Sequence, residues 1–148
     1  MRLVTINNKC LRAYTKDPEM LQKSKRPCAL IIRLKYKGKR YDFAIPLRSN
    51  INPSTPKEQF FPLPPRNTTK EKYRHGVHYI KMFPVKAEFL IRFRTEGNTF
   101  GTLTKQILDQ NEKTIFRQCQ DYLIKYEKGF RPAYCTDIDF LIKCMKEI

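Results

Sequence analysis

The sequence predicts an α+β fold: a small, twisted, barrel-like antiparallel sheet with helices packed against it. Up to roughly residue 95, apolar residues run in short β-branched or aromatic stretches with two-residue alternation, cut by Gly, Pro and Asn. From roughly residue 100 the apolar spacing changes to three and four residues. A chain of 148 residues fits one domain and can bury a sizeable core, with the sheet over about 1–95 and the helical part over about 100–148.

Leu3-Val-Thr-Ile6 reads as the first strand, and Asn7 and Asn8 suit the cap of a short helix with Cys10, Leu11 and Tyr14 inward. Residues 17–27 read as a loop ending in the basic cluster Lys23-Ser-Lys-Arg26. Cys28 to Tyr36 is the clearest strand. Lys37-Gly38 is a tight turn, and Lys39 to Ile45 returns with Tyr41, Phe43 and Ile45 on one face. Six of the ten prolines fall between Pro46 and Pro65, which predicts an irregular excursion there. Val77 to Phe83 reads as a strand ended or bulged by Pro84, and Ala87 to Phe93 as another, with Gly97 and Asn98 closing this half. Thr102 to Lys128 is one long helix or two broken near Asn111, stopped by Gly129. Thr136-Asp-Ile-Asp139 opens a last helix with Ile138, Leu141, Cys144, Met145 and Ile148 inward.

Composition narrows the function. Thirty Lys and Arg against 14 Asp and Glu give a formal charge of +16. Self-repulsion on that scale favours a polyanionic partner, and phosphates are the commonest. No apolar run approaches the roughly 20 residues of a spanning helix, and Met1 to Ile6 lacks a signal-peptide pattern. A cytoplasmic location is therefore expected, with no membrane partner. Five cysteines with no Cys-x-x-Cys pair argue for free thiols rather than a zinc site or disulfide framework.

The residues that could carry chemistry lie between Lys37 and Lys81. The hairpin carries a basic stripe, Arg33, Lys35, Lys37, Lys39 and Arg40, which reads either as an edge guarded by lysine or as a phosphate contact. Arg48-Ser49-Asn50 sets a guanidinium, a hydroxyl and an amide side by side, either a capped turn or a set of phosphate donors. No Gly-x-Ser-x-Gly elbow surrounds Ser49, which argues against a covalent serine nucleophile. The two histidines, His75 and His78, fall on opposite faces of a strand, so they do not form a matched pair. His78 is a satisfied structural residue or an acid–base group, with Arg74 and Lys81 flanking it to lower its pKa or clamp phosphate. Tyr36, Tyr73 and Tyr79 are core residues or stacking platforms for unpaired bases. The acidic residues are scattered, and no metal or other cofactor is expected. Cleaving RNA without a metal takes deprotonation of the 2′-hydroxyl, stabilisation of the phosphorane and a proton for the departing 5′-oxygen.

Met1-Arg-Leu-Val-Thr-Ile-Asn-Asn-Lys9, Arg26-Pro-x-Ala-Leu-Ile-Ile-x-Leu34, Gly38-x-Arg-Tyr41, Pro46-Leu-x-Ser49 and Gly76-x-His-x-Ile-Lys-x-x-Pro84, in that order, resemble the type III toxin–antitoxin endoribonucleases, the ToxN, AbiQ, CptN and TenpN group. The resemblance implies an SH3-like barrel of the MazF kind with added helices. It implies a metal-independent endoribonuclease that leaves a 2′,3′-cyclic phosphate. It further implies inhibition by a repeated small RNA, processed into pseudoknots that bind a basic groove in a closed toxin–RNA assembly, in genome or plasmid maintenance or abortive phage defence. Ser49 matches the serine of the family's active-site turn, and Arg26 falls near its basic position before the second strand. Two departures stand out. Cys10 replaces a tyrosine of the ToxN pattern, and Arg48-Ser-Asn-Ile51 replaces a Thr-Ser-Pro-Lys turn, so Arg48, His78 or a nearby cation must take the place of the turn lysine. The Pro-Leu-Arg-Ser-Asn and His-Gly-x-His-Tyr stretches resemble the CptN and TenpN branches more closely.

The expectation is a catalytic set of Ser49, Arg48, His78 and Arg26, with Ser49 and Arg48 on the scissile phosphate and His78 as acid or base. Arg33, Lys35, Lys37, Lys39, Arg40, Asn50, Arg74, His75 and Lys81 would contact RNA. The rival expectation is a non-catalytic RNA-binding module or translational repressor.

Overall fold

The computed structural model describes residues 1–14, 16–20, 28–92 and 99–148. Arg26, Phe93, Gly97 and Asn98 therefore lie outside the described residues. In chain order the elements are β1 (Arg2–Ile6), α1 (Asn8–Ala13), β2 (Cys28–Tyr36), β3 (Lys39–Ile51), β4 (Phe60–Leu63), β5 (Arg74–His78), β6 (Phe83–Val85), β7 (Leu90–Arg92), α2 (Thr99–Gln110), α3 (Glu112–Glu127) and α4 (Ile138–Lys146).

All pairings are antiparallel, in the order β4-β5-β3-β2-β1-β7, with β6 also on β3. The long strand β3 organises the sheet. Its first part, Lys39 to Pro46, pairs with β2, while Leu47 to Ile51 pairs with β5. On the flank away from β2, Asp42 to Ala44 pairs with β6.

Three expectations need correction. The excursion expected to begin at Pro46 is instead the continuation of β3. Pro46 stands opposite Ala29, where β3 exchanges β2 for β5, so its missing N–H falls at the end of a ladder. Pro62 lies in β4, an edge strand, and Pro84 in the three-residue β6, positions where a strand can take a proline. The expected strand from Val77 to Phe83 is β5, a 3-10 turn at Tyr79–Lys81 and then β6. Finally, the expected SH3-like barrel is not closed: among the described residues β4 and β7 end the ladder and do not pair with each other.

The β2–β3 hairpin turns through Lys37 (φ 49°) and Gly38 (φ 79°), the doubly left-handed geometry of a two-residue turn that follows strand twist. The even-numbered Leu30, Ile32, Leu34 and Tyr36 of β2 join Phe43 and Ile45 of β3 in a core with Ile115, Cys119, Tyr122, Leu123 and Tyr126 of α3. On the other face Ala29 and Ala44 meet Cys10, Tyr14, Phe83, Val85, and Leu141 and Met145 of α4. Beyond β1, the edge of β2 is completed by a side chain: Gln120 accepts from the Lys35 N–H (3.0 Å) and donates to the Lys35 carbonyl (2.9 Å).

The helix boundaries follow their local chemistry. Asn111 donates its amide to the Ile107 carbonyl (2.7 Å) while its own carbonyl receives Ile115 N–H (3.0 Å), so one residue closes α2 and starts α3. Gly129, at φ +101°, ends α3 with the paired bonds of a Schellman motif, Phe130 N–H to Lys125 O and Gly129 N–H to Tyr126 O, both 3.0 Å. Asp137 caps α4 through Phe140 N–H (3.1 Å). Among the described residues no helix is long and apolar enough to cross a membrane.

Candidate active site

The register of β3 on β5 slips between Arg48 and Ile51: Arg48 faces Gly76, yet Ile51 faces Arg74. Ser49 and Asn50 together oppose His75, which is a β-bulge, and a bulge breaks the two-residue alternation and re-aims its side chains. The residues expected as donors past a strand end therefore lie inside a strand, half-buried at the bulge.

Arg48 and His78 are diagonal neighbours on one face of the β3–β5 pair, with Gly76 directly opposite Arg48. Gly76 has a steric reason to be glycine: a Cβ there would come within 2.4 Å of the Phe61 carbonyl of β4. Arg48 Nη1 lies 3.4 Å from His78 Nδ1. A guanidinium only donates, so Nδ1 is the acceptor and the His78 proton sits on Nε2, which is buried without a hydrogen-bond partner among the described residues. His78 is 5% exposed. Burial first, then the charges of Arg48 and Lys81, push its pKa down to about 3, so it is neutral at pH 7. Burial likewise lowers Arg48 from its ordinary value, opposed by the nearby Glu19 carboxylate. Lys81, expected on the RNA, is instead inside: 6% exposed, its ammonium is 2.7 Å from Glu19 Oε2. The pair is half-buried, with Lys81 inside and Glu19 partly exposed.

On the solvent side of the bulge, Thr68 Oγ1 donates to Ser49 Oγ at 3.3 Å. Asn50, expected as an RNA donor, spends its amide on the same segment: Nδ2 donates to the Thr68 carbonyl (3.3 Å) and Oδ1 accepts Lys70 N–H (2.7 Å). His75 is buried too; its Nδ1–H donates to the Pro64 carbonyl at 2.8 Å, and burial lowers its pKa. Arg66, Lys70, Lys72 and Arg74 stand exposed around this face.

The β2–β3 hairpin stripe is exposed, but two of its cations have partners: Arg33 with Asp42 (3.2 Å) and Lys37 with Asp139 (2.9 Å). Lys35, Lys39 and Arg40 remain on the surface. Of the three tyrosines considered for stacking, Tyr36 and Tyr79 are core residues, hydrogen-bonded to Asp139 and Gln118, and only Tyr73 is exposed. Sequence reasoning missed Thr68 and Glu19, which no periodicity marks. Gly76, a glycine within a strand, was a readable sign of close backbone approach.

An open antiparallel sheet with helices packed on both faces, β3 bulged at Ser49 and Asn50, defines an α+β architecture. Its fold is shared along the whole chain by structures from bacterial RNA-regulated defence systems. One comes from a bacterial antiviral system regulated by a processed non-coding RNA (TM-score 0.76, 13% identity, covering 100% of this chain and 99% of that one). A second comes from a type III toxin–antitoxin system with selective toxin inhibition by a non-coding RNA pseudoknot (0.72, 16%, 99% and 96%). A third is AbiQ, a lactococcal anti-phage endoribonuclease of the type III toxin–antitoxin system (0.73, 15%, 99% and 96%). These neighbours belong to the group that the residue motifs resemble. At such identities the fold is what is shared. No family model and no curated protein matches the sequence.

Proposed function

We propose that this protein is the toxin of a type III toxin–antitoxin system: a metal-independent endoribonuclease, held inactive in the cytoplasm by a repeated pseudoknot RNA in a closed toxin–RNA assembly. The observation that carries the reading is the end-to-end fold match to AbiQ and its relatives, with the matched Ser49 on a donor-lined bulge. The reaction would join the 2′-oxygen to phosphorus and break the P–O5′ bond, the 2′-hydroxyl giving its proton to water and the departing 5′-oxygen taking one from water, leaving a 2′,3′-cyclic phosphate and a 5′-hydroxyl. Arg48 and Ser49 are suited to the charge that grows on the non-bridging oxygens. Neutral His78, buried behind Arg48, is suited to aiming the guanidinium rather than to ferrying protons. The expected acid–base role of His78 therefore loses its support. Arg26, outside the described residues, remains a proposed partner of the scissile phosphate, and the remaining exposed cations would follow the RNA backbone. The Pro-Leu-Arg-Ser-Asn and His-Gly-x-His-Tyr stretches support the CptN or TenpN branch.

Burial of His78 also favours a second reading, a non-catalytic RNA-binding module, because it takes the site's imidazole out of proton transfer. Expression without any antitoxin separates the two through Ser49. Cells carrying the parental chain should stop growing and cells carrying Ser49→Ala should survive, since losing one phosphate donor costs roughly ten- to a thousandfold in rate. Equal toxicity removes Ser49 from the mechanism.

A further inference from the structure

The segment from Arg66 to Tyr73 is more than a connector. Arg66 and Thr69 close one turn, through Thr69 N–H to Arg66 O (3.0 Å) and Arg66 N–H to Thr69 Oγ1 (2.9 Å). Lys70 and Tyr73 close the next, Tyr73 N–H to Lys70 O (3.0 Å). Three hydrogen bonds tie these turns to two adjacent residues of the bulge: Asn50 grips Thr68 O and Lys70 N–H, and Thr68 Oγ1 reaches Ser49 Oγ. The strap thus lies across the bulge with Arg66, Lys70 and Lys72 exposed.

We infer that Thr68 is a positioning residue for Ser49, and that Asn50 serves it by pinning the Arg66–Lys72 strap over the bulge. The inference rests on the nuclease reading above for the reaction it serves. A hydroxyl has one hydrogen to give. With Thr68 donating to Ser49 Oγ, the one Ser49 hydrogen is left to donate elsewhere, and an RNA phosphate oxygen would accept it. A chain of donors of this kind strengthens its last bond. The 3.3 Å spacing is long for O–H···O, so the contact is weak without a ligand. The same strap brings three cations to the rim, so its loss would weaken RNA binding as well as chemistry.

The test is a variant series on the full-length protein with a short single-stranded RNA. Thr68→Val removes only the hydroxyl donation and should lower kcat about three- to tenfold with KM nearly unchanged, and Thr68→Ser should restore it. Asn50→Ala should lower kcat and raise KM together, and speed hydrogen exchange at the Lys70 amide. Asn50→Asp keeps an acceptor for Lys70 N–H but cannot donate to Thr68 O, so it should lose rate while the Lys70 amide stays protected. Thr68→Val at the parental rate, or Thr68→Ser no better than Thr68→Val, overturns the inference. If the parental chain leaves RNA intact, the nuclease reading fails on its own. The series is then read by affinity for 2′-O-methyl RNA of the same sequence: weaker binding by Thr68→Val, restored in Thr68→Ser, sustains the positioning role, and equal binding removes it.

Discussion

A guanidinium whose back is held by an imidazole can present its front to an anion only while that imidazole stays neutral. Arg48 meets this condition because His78 is buried and its pKa is pushed to about 3. The arrangement has a cost in acid. Unfolded, His78 would bind a proton below its ordinary pKa near 6.5, while the folded protein refuses it until far lower. Stability from this group is therefore complete above about pH 6.5 and drains as pH falls toward 3, by up to about 1.4 kcal/mol per pH unit. His78→Gln, which keeps an acceptor for Arg48 without a titrating ring, should flatten the fall in urea midpoint between pH 7 and 5. The slope that remains would belong to His75 and the carboxylates. An unchanged slope would mean that His78 is not the group burdened by burial. Arg48 and Ser49 were legible in the sequence because a basic-hydroxyl-amide run is unusual beside a strand. Thr68 was not, since a threonine pair in a polar loop carries no mark of the strand it touches.

At the scale of elements, the site depends on how closely three strands approach. Gly76 lies between Arg48 of β3 and Pro62 of β4, and its missing Cβ lets the Phe61 carbonyl come near. Gly76→Ala should lower stability by roughly 1–3 kcal/mol, because the obstacle is backbone rather than a movable side chain. It should also lower RNA cleavage by more than its unfolded fraction explains, since β5 carries His78. A melting temperature equal to the parent's would show that the strands part without cost. The bounds of β2 were legible from an apolar run, Ala29 to Ile32, that passes into alternation up to Tyr36, and the end of α3 from Gly129. The second half of β3 was not, because six prolines in twenty residues read as a ban on strands. That ban holds inside a ladder. Here Pro46 falls at a change of partner and Pro62 on an edge, and such positions emerge only once the pairing is known.

For the molecule as a whole, the charge of +16 was the strongest single sign of a polyanionic partner, but its distribution could not be read in advance. The hairpin cations expected to form one RNA track are partly absorbed by Asp42 and Asp139, and Lys81 by Glu19. Exposed cations are spread over the described surface, and four of them lie on and beside the strap that reaches Ser49: Arg66, Lys70, Lys72 and Arg74. If this face carries RNA, affinity should fall steeply with salt, with a slope near 0.7 per phosphate contacted by a single strand, which is roughly fiftyfold between 50 and 200 mM for four contacts. A binding constant insensitive to salt would place recognition elsewhere. Incubating the purified protein with RNA in EDTA tests the central claim most directly. The parental chain should leave RNA cut to ends that carry 2′,3′-cyclic phosphates, and Ser49→Ala should cut it roughly ten- to a thousandfold more slowly. RNA that is bound by the parental chain but never cut would contradict that claim.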